Sequence, residues 1–572
     1  MAEPTREPTA GSRSPSGRWP GRWLGPALLL VASAGALTLG LIEAWHDSPT
    51  FDEPVYVSSG VVAVLHHDLT LNDEHPPLPK VLAALPVLAV HPVVPAETSW
   101  TRNDEHSYSA RFAVAQLDAH RLRQVTFASR LVPLVEMLAV AWVAYALAAS
   151  LFGAAAGALA GLLWLGSAFV LGLGHLDGTD LPFALAVVAT SWALERWLRR
   201  RSGGALAVVG VCGGLAVSCQ STGLLVLLVA IAVVVVSGWR RAGVRRALGQ
   251  GGTLLVVAFV VLWVPYAVLE PSTVVHPWGL LPRPWVEGLA YLQAHDTSPS
   301  PAYVAGYAYD GRRWWFWPLS LVVKYPLTTL IVLVAGVAAW WWVDRGSRRR
   351  ALAVVALPGA VLACFTVLVP QDLGLRYLLP VLALWCAGAG ALMPAVRAMR
   401  PPLRSVSTVA LAVLVAASVA STVASFPDSL AWTSAPFRPG YAAASNSDLD
   451  WGQSLYALDA WARGRRPWVA YFGPRGLSAH VPGTRPLLGA APGKVRGWVA
   501  VSATALTSED REQLAWLRRY CPVGTLGGSV LVFHLAQPPG PSRAARAAAP
   551  APAAPRPVCP GSWSEPSEGA TR

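Results

Sequence analysis

Charge is what this sequence has least of: Asp, Glu, Lys and Arg make up 13% of its 572 residues, well below the roughly 25% of a soluble globular chain. The deficit is local. Long apolar stretches exclude charge and the ionisable residues gather between them, which excludes a soluble globular protein and calls for a bilayer. Cysteine is sparse, six in all. Cys212, Cys219, Cys364 and Cys386 lie in apolar stretches as small hydrophobes, and Cys521 and Cys559 lie in the C-terminal part, where they could pair. No CxxC or Cys/His spacing marks a metal site. No P-loop and no GxGxxG in a βαβ context marks a nucleotide site. The net charge of +13 would suit a nucleic-acid binder, but the arginines sit in short clusters between apolar segments, where they orient a membrane protein instead.

What is present is a series of apolar runs. After a Pro/Ser/Gly/Arg-rich tail (1–22) expected to be disordered, spans are expected at 24–45, 128–150, 153–173, 181–198, 205–221, 223–238, 252–270, 319–343, 351–369, 377–395 and 407–426. The stretch 80–94 is apolar but interrupted by Pro86 and Pro92, so it is expected to lie in the interface or re-enter. With eleven spans the arginine clusters at 6–22, 199–201, 240–246, 345–350 and 397–404 all fall on one face, the cytoplasmic one. The other face then carries loops 46–127 and 271–318 and everything after the membrane domain (23–427). Residues 428–536 form a small extracytoplasmic α/β domain, with strand-like runs at 468–472, 498–502 and 529–534 and a helix at 508–520. An Ala/Pro-rich tail (537–572) is expected to be disordered. The expected fold is therefore a polytopic α-helical membrane protein of about eleven transmembrane helices, in the plasma membrane, N-terminus inside and C-terminus outside.

The polar residues that stand out all fall on the outward face. Asp52 and Glu53 follow the first helix, where a partly desolvated carboxylate can act as a base on a hydroxyl; alone, the pair would pass for a solvated loop end. Glu74, His75 and Lys80 flank Pro76 and Pro77, which hold the chain extended. His175, Asp177 and Asp180 lie between the third and fourth spans, and Asp180 before Pro182 also suits a plain helix start. Lys324 and Arg376 are cations at the outward edge of the membrane, where charge is costly without an anion or a route to water. Trp314, Trp315 and Trp317 suit an interfacial belt, and Asp448, Asp450, Trp451 and Gln453 a capped helix start.

Taken together, Asp52-Glu53, Glu74-His75-Pro76-Pro77-Leu78 with Lys80, Thr179-Asp180, Lys324-Tyr325-Pro326, Arg376-Tyr377-Leu378-Leu379-Pro380 and the Asp448–Gln453 segment resemble the large-loop glycosyltransferases of the GT-C fold. The resemblance is greatest to family 39, which includes protein O-mannosyltransferases and the lipid A aminoarabinose transferase. It implies transfer of a sugar from a polyprenyl-phosphate donor to an acceptor protein, glycan or lipid on the outer face. Asp52 would be the catalytic carboxylate, with Glu53 beside it and Asp180 a second acid. Lys324, Arg376 and Lys80 would hold the donor phosphate, and Glu74, His75, His175, Asp177 and Tyr377 would complete the site, with a divalent metal as an optional helper. Where many relatives carry a lysine, this chain has Gln220. Two rivals remain: a transporter or flippase, which would place ionisable residues at mid-bilayer on broken helices, where Glu136 is the main exception to near charge-free spans, and a non-catalytic scaffold of the same fold.

Overall fold

The computed structural model describes residues 21–96, 104–271, 280–295 and 299–536. Nearly all of the expected N-terminal tail, the C-terminal tail and Cys559 lie outside the described residues. In a bilayer an apolar segment must satisfy its own backbone, so each charge-free run becomes a helix. The first is α1 (Gly21–His46). The long loop after it folds into α2 (Glu53–His66), α3 (Pro77–Ala89) and α4 (Glu105–Ala115). Then come α5 (Ala119–Phe152), α6 (Ala154–Leu165), α7 (Ala168–Gly174), α8 (Asp180–Arg200), α9 (Gly203–Cys219), α10 (Gly223–Ala242) and α11 (Val244–Leu269). Helix α12 (Arg283–His295) and an antiparallel hairpin of β1 (Pro301–Val304) and β2 (Tyr307–Asp310) lie in the second long loop. The bundle is completed by α13 (Phe316–Lys324), α14 (Leu327–Ala339), α15 (Arg345–Ala351), α16 (Leu357–Leu368), α17 (Leu379–Ala389), α18 (Leu392–Arg397) and α19 (Pro401–Val423).

The chain is thus a multi-pass helical membrane protein. Among the described residues seven helices are long and apolar enough to cross a membrane, and the bent pair α6–α7 makes an eighth. The remaining expected spans are helical as well, in α8, α9 and α13–α14, but are shorter, broken or more charged, so the count by length and composition is lower than eleven. Two expected spans are bent. The 153–173 run turns by 67° between α6 and α7, where the carbonyl of Gly166, freed from the helix, accepts hydrogen bonds from Ser418 (2.7 Å) and Thr422 (2.9 Å) on α19. The 319–343 run breaks at Pro326, which lacks an N–H and forces Tyr325 to extended geometry (ψ 140°).

The C-terminal segment is an α/β layer. Helix α20 (Leu455–Ala462) is followed by β3 (Trp468–Ala470), β4 (Arg485–Pro486), β5 (Gly497–Ser502), β6 (Gly524–Leu526) and β7 (Val530–Leu535). The sheet order is β4-β3-β5-β7-β6, with β4, β3 and β5 parallel and β7 antiparallel to β5 and β6. The three strand-like runs form strands; the 508–520 run does not form one α-helix but is split between a π-helical turn, Ala505–Glu509, and a short 3-10 helix, Ala515–Arg519.

This layer is bonded to the first long loop. Ser48 and Phe51 donate their N–H groups to the carbonyls of Gln453 (2.9 Å) and Trp451 (2.8 Å). The Ser48 hydroxyl donates to Gly452 O and accepts from Leu455 N, and Phe472 stacks on Phe51 at 5.1 Å. A second seam runs through Gly374, whose φ of 141° lets Leu375 N–H reach Asp448 Oδ1 (2.8 Å).

That seam yields a prediction. A Cβ on Gly374 would stand 2.2 Å from Ser447 Oγ, so Gly374→Ala must push the 447–448 turn off the 370–376 loop. Overpacking of this kind costs about 1–3 kcal/mol, and the variant's thermal midpoint in detergent should fall. An unchanged midpoint would show that the seam yields freely.

Candidate active site

Two arginines organise the end of the bundle that carries the long loops. Arg130, on α5 and fully buried, donates Nε and Nη2 to the two oxygens of Glu53 (2.8 and 2.7 Å), Nη1 to the carbonyls of Ala44 and Asp47 (2.9 and 2.7 Å), and Nη2 again to Ser48 O (2.8 Å). Glu53 also accepts from the N–H groups of Thr50 (2.8 Å) and Asp177 (2.9 Å). Burial works to raise the Glu53 pKa, but Arg130 and these N–H groups outweigh it and hold the carboxyl below its ordinary range. Beside this brace His175 lies buried between Glu43 and Asp47, with Nε2 3.1 Å from Asp47 Oδ2, and His46 Nδ1 is 2.9 Å from Asp47 Oδ1. Burial again works to raise Asp47, and the hydrogen bonds from His175 and His46 hold it low.

Arg376 is different. Its Nη1 is 3.1 Å from Asp52 Oδ2 and 3.8 Å from Asp180 Oδ2, so one guanidinium is shared by two carboxylates. Its flat face lies 4.3 Å from the Trp451 ring and 5.3 Å from that of Tyr377, while its Nε has no hydrogen-bond partner. Gln220, from the break between α9 and α10, donates to Asp180 Oδ1 (3.1 Å) and to Thr179 Oγ1 (2.9 Å). Tyr56 faces the same group: burial raises its phenol well above the ordinary value, and Asp52, Glu74 and Asp180 push it further against the opposing charge of Arg376. Glu74 lies 3.7 Å from His75 Nε2, and His75 packs on Tyr56. A recess lined by Leu173, Leu176, Asp177, Asp180, Leu379 and Trp451 opens beside the cluster.

The residues singled out in the sequence therefore divide. Asp52, Asp180, Arg376, Tyr377, Glu74 and His75 come together. Glu53 and His175 join Arg130 and Asp47, neither of them singled out from the sequence, in the brace beneath them, and Asp177 bridges the two: its N–H is held by Glu53 while its carboxyl, raised well above the ordinary range by burial with Glu53 and Glu136 nearby, has one unpartnered oxygen. The two lysines expected at the donor phosphate each hold main-chain carbonyls. Lys80 gives its ammonium to Asn72 O, Asn72 Oδ1 and His75 O at 2.6–2.9 Å. Lys324, 1% exposed, donates to the carbonyls of Leu430 (2.8 Å) and Trp432. Each ammonium fixes a turn of backbone, because a buried cation takes the nearest carbonyls when no anion reaches it. Arg130 and the role of Trp451 against Arg376 were missed. For Arg130 a signal existed, the one cation inside a span whose only other charged residue is Glu136; for Trp451 there was none. Among the described residues no three His, Cys, Asp or Glu side chains come together as metal ligands.

Residues 118–266 match the family described as dolichyl-phosphate-mannose-protein mannosyltransferase, which bears out the resemblance drawn from the motifs. The match includes Arg130, Asp177, Asp180 and Gln220 and stops short of Asp52 and Arg376. No curated protein sequence matches the chain. Among solved structures, apo ArnT from Cupriavidus metallidurans aligns at 14% identity over 70% of this chain and 66% of that one (TM-score 0.45). ArnT bound to undecaprenyl phosphate aligns at 12% identity over 90% and 99% (TM-score 0.46). AglB from Archaeoglobus fulgidus, with an inhibitory peptide and a dolichol-phosphate, aligns at 10% identity over 88% and 73% (TM-score 0.47).

The brace can be tested apart from any chemistry. Removing one partner of a buried ion pair leaves an uncompensated charge and costs about 3–5 kcal/mol. Arg130→Met and Glu53→Gln should each lower the thermal midpoint steeply, while Asp52→Asn leaves it nearly unchanged. The folded pKa of Glu53 lies below its unfolded value. Its contribution is therefore complete above the unfolded value near 4.5 and is lost as pH falls through the folded one. Stability should accordingly drop in that acid window, less so in Glu53→Gln. Equal stability of all three variants would contradict the division between brace and site.

Proposed function

We propose that this chain, whose residues 118–266 match the dolichyl-phosphate-mannose-protein mannosyltransferase family, is a membrane glycosyltransferase that moves a sugar from a polyprenyl-phosphate donor to an acceptor hydroxyl on the outer face of the plasma membrane. The observation that carries this reading is the single guanidinium of Arg376 shared by Asp52 and Asp180.

A polyprenyl phosphate is already a good leaving group and needs positive charge more than a proton. When the donor phosphate takes the guanidinium, charge that develops on the leaving oxygen meets a fixed cation, and Asp52 is released from its ion pair. Asp52 then removes the proton of the acceptor hydroxyl. The acceptor oxygen bonds to the anomeric carbon as the bond from that carbon to the phosphate oxygen breaks. The products are the glycoside and polyprenyl phosphate, with the proton left on Asp52, and attack opposite the leaving group inverts the anomeric centre. Asp180, oriented by Gln220, stands 3.8 Å from the same Nη1 of Arg376. Trp451 fixes the plane of the guanidinium. Glu53 takes no direct part, because its two oxygens already serve Arg130, Thr50 and Asp177.

Incubation of the purified protein with a panel of polyprenyl-phosphate sugars should release polyprenyl phosphate from at least one. With that donor at saturation, Asp52→Asn should lose about a hundred- to ten-thousand-fold in single-turnover rate, the range of general-base catalysis, without losing donor binding. Near-normal turnover in a folded Asp52→Asn protein would refute the assignment. For orientation, a cysteine placed at exposed His480 should react with an impermeant reagent on intact cells; reaction only after permeabilisation would invert the topology.

A further inference from the structure

The C-terminal layer has two ends, and the site uses only one. The strands β3, β4 and β5 are parallel, so their beginnings share one edge of the sheet and their ends the opposite edge. The end of β3 leads into Tyr471 and Phe472, which contact Gly452 and Phe51 at the site. The beginnings lie at the far edge. Arg465 and Arg466 lie two to three residues before β3, Arg485 opens β4, and Lys494 and Arg496 lie within the three residues before β5. The registers Trp468↔Arg485 and Trp468↔Val499 set these positions side by side, and Arg485 donates to Arg466 O at 2.8 Å.

All five cations are exposed, and among the described residues none of them pairs with a carboxylate. The sequence from 460 to 508 contains no Asp or Glu at all. Membrane orientation does not account for such a cluster: the topology-setting arginines are the short runs beside the spans, and long outward domains cross largely regardless of charge. A bare solvated face would mix both signs; five uncompensated cations on one edge instead make a field that collects anions.

The tryptophans narrow the ligand. Trp468 opens β3, Trp498 is the second residue of β5 and Trp461 ends α20, and all three are half-buried. The Arg485 guanidinium lies 4.5 Å from the Trp468 ring and that of Arg465 5.5 Å from Trp461, and Trp461 meets Trp498 edge-on at 5.6 Å. From Arg463 to Arg496 the one large apolar side chain that is exposed is Leu488, so the edge lacks the apolar anchors of a protein interface. Its position at the strand ends opposite the membrane-facing site argues against a lipid surface. We infer that this edge is a docking site for an anionic polysaccharide, whose acid groups meet the guanidinium forks while sugar faces pack on the indoles.

The inference is independent of the transferase reading and is tested without turnover. Full-length protein in nanodiscs of zwitterionic lipid, at about 0.15 M salt where distant charges are screened, is titrated with fluorescent oligogalacturonate. Saturable binding is expected. It should weaken at least tenfold in a combined Arg465→Gln, Arg466→Gln, Lys494→Gln, Arg496→Gln variant. It should hold in a control with the same charge removed elsewhere, Arg240→Gln, Arg241→Gln, Arg245→Gln, Arg246→Gln. Thermal melts check that both fold; if the combined variant does not, the two pairs 465/466 and 494/496 are tested separately and each should weaken binding. Trp461→Ala should reduce binding of oligogalacturonate more than of poly-glutamate of equal charge. Equal loss in the control, equal affinity of poly-glutamate for the native protein, tighter binding of anionic vesicles, or no binding at this salt would each overturn the proposal.

Discussion

The candidate site of this protein depends on one buried guanidinium. Arg130 has five N–H donors and the structure uses them all, two on the carboxylate of Glu53 and the rest on carbonyls at the end of α1 and just beyond it. A charge without water is tolerated only when it is paired and its hydrogen bonds are complete. Meeting that condition ties α5, the end of α1, the 47–53 loop and the 175–177 turn into one unit. Asp52 is the next residue along, so its position follows from a bond it does not itself make. The contrast with Arg376 is chemical: that guanidinium is shared by two carboxylates and keeps an unpartnered Nε. A saturated arginine holds structure, and an unsaturated one can take an incoming anion.

The C-terminal layer belongs to the same construction. It is bonded to the 48–51 loop through Trp451, Gly452 and Gln453 and to the 372–376 loop through Ser447 and Asp448. Burial pushes the Asp448 carboxyl up to about 6, opposed by Lys324, and pushes that of Asp450 to about 6 as well. Both acids hold main-chain N–H groups, of Leu375 and Thr504. Residues that look like a helix cap in the sequence therefore work as a clamp over the site, and the tryptophan among them becomes a wall of it.

Much of this was legible from the chain. Charge exclusion located the helices, because hydropathy and length act locally. The site acids were legible as polar residues at span ends, since few other reasons put Asp and Glu there. What a cation touches was not legible. Lys80, Lys324 and Arg376 look alike in sequence, each at the outward edge, and only the fold shows that the first two close on carbonyls of neighbouring turns while the third faces Asp52 and Asp180. Glu53 and Asp52 differ for a similar reason: adjacent residues point apart, and which one meets Arg130 is decided by a helix 77 residues away. The kink at Gly166 and the failure of 508–520 to form one α-helix are also tertiary, the first set by hydroxyls on α19 that periodicity cannot reveal.

The most direct measurement is the affinity for polyprenyl phosphate itself, made by titration of wild-type protein and of Arg376→Met, Lys324→Met and Lys80→Met variants shown to be folded. A lost charge-assisted contact costs about 1.5–3 kcal/mol, more than tenfold in affinity. Arg376→Met should show that loss, and the two lysine variants should bind as wild type does once differences in stability are accounted for. If Arg376→Met binds polyprenyl phosphate with undiminished affinity, the shared guanidinium is not the phosphate's cation and the account of the site is wrong.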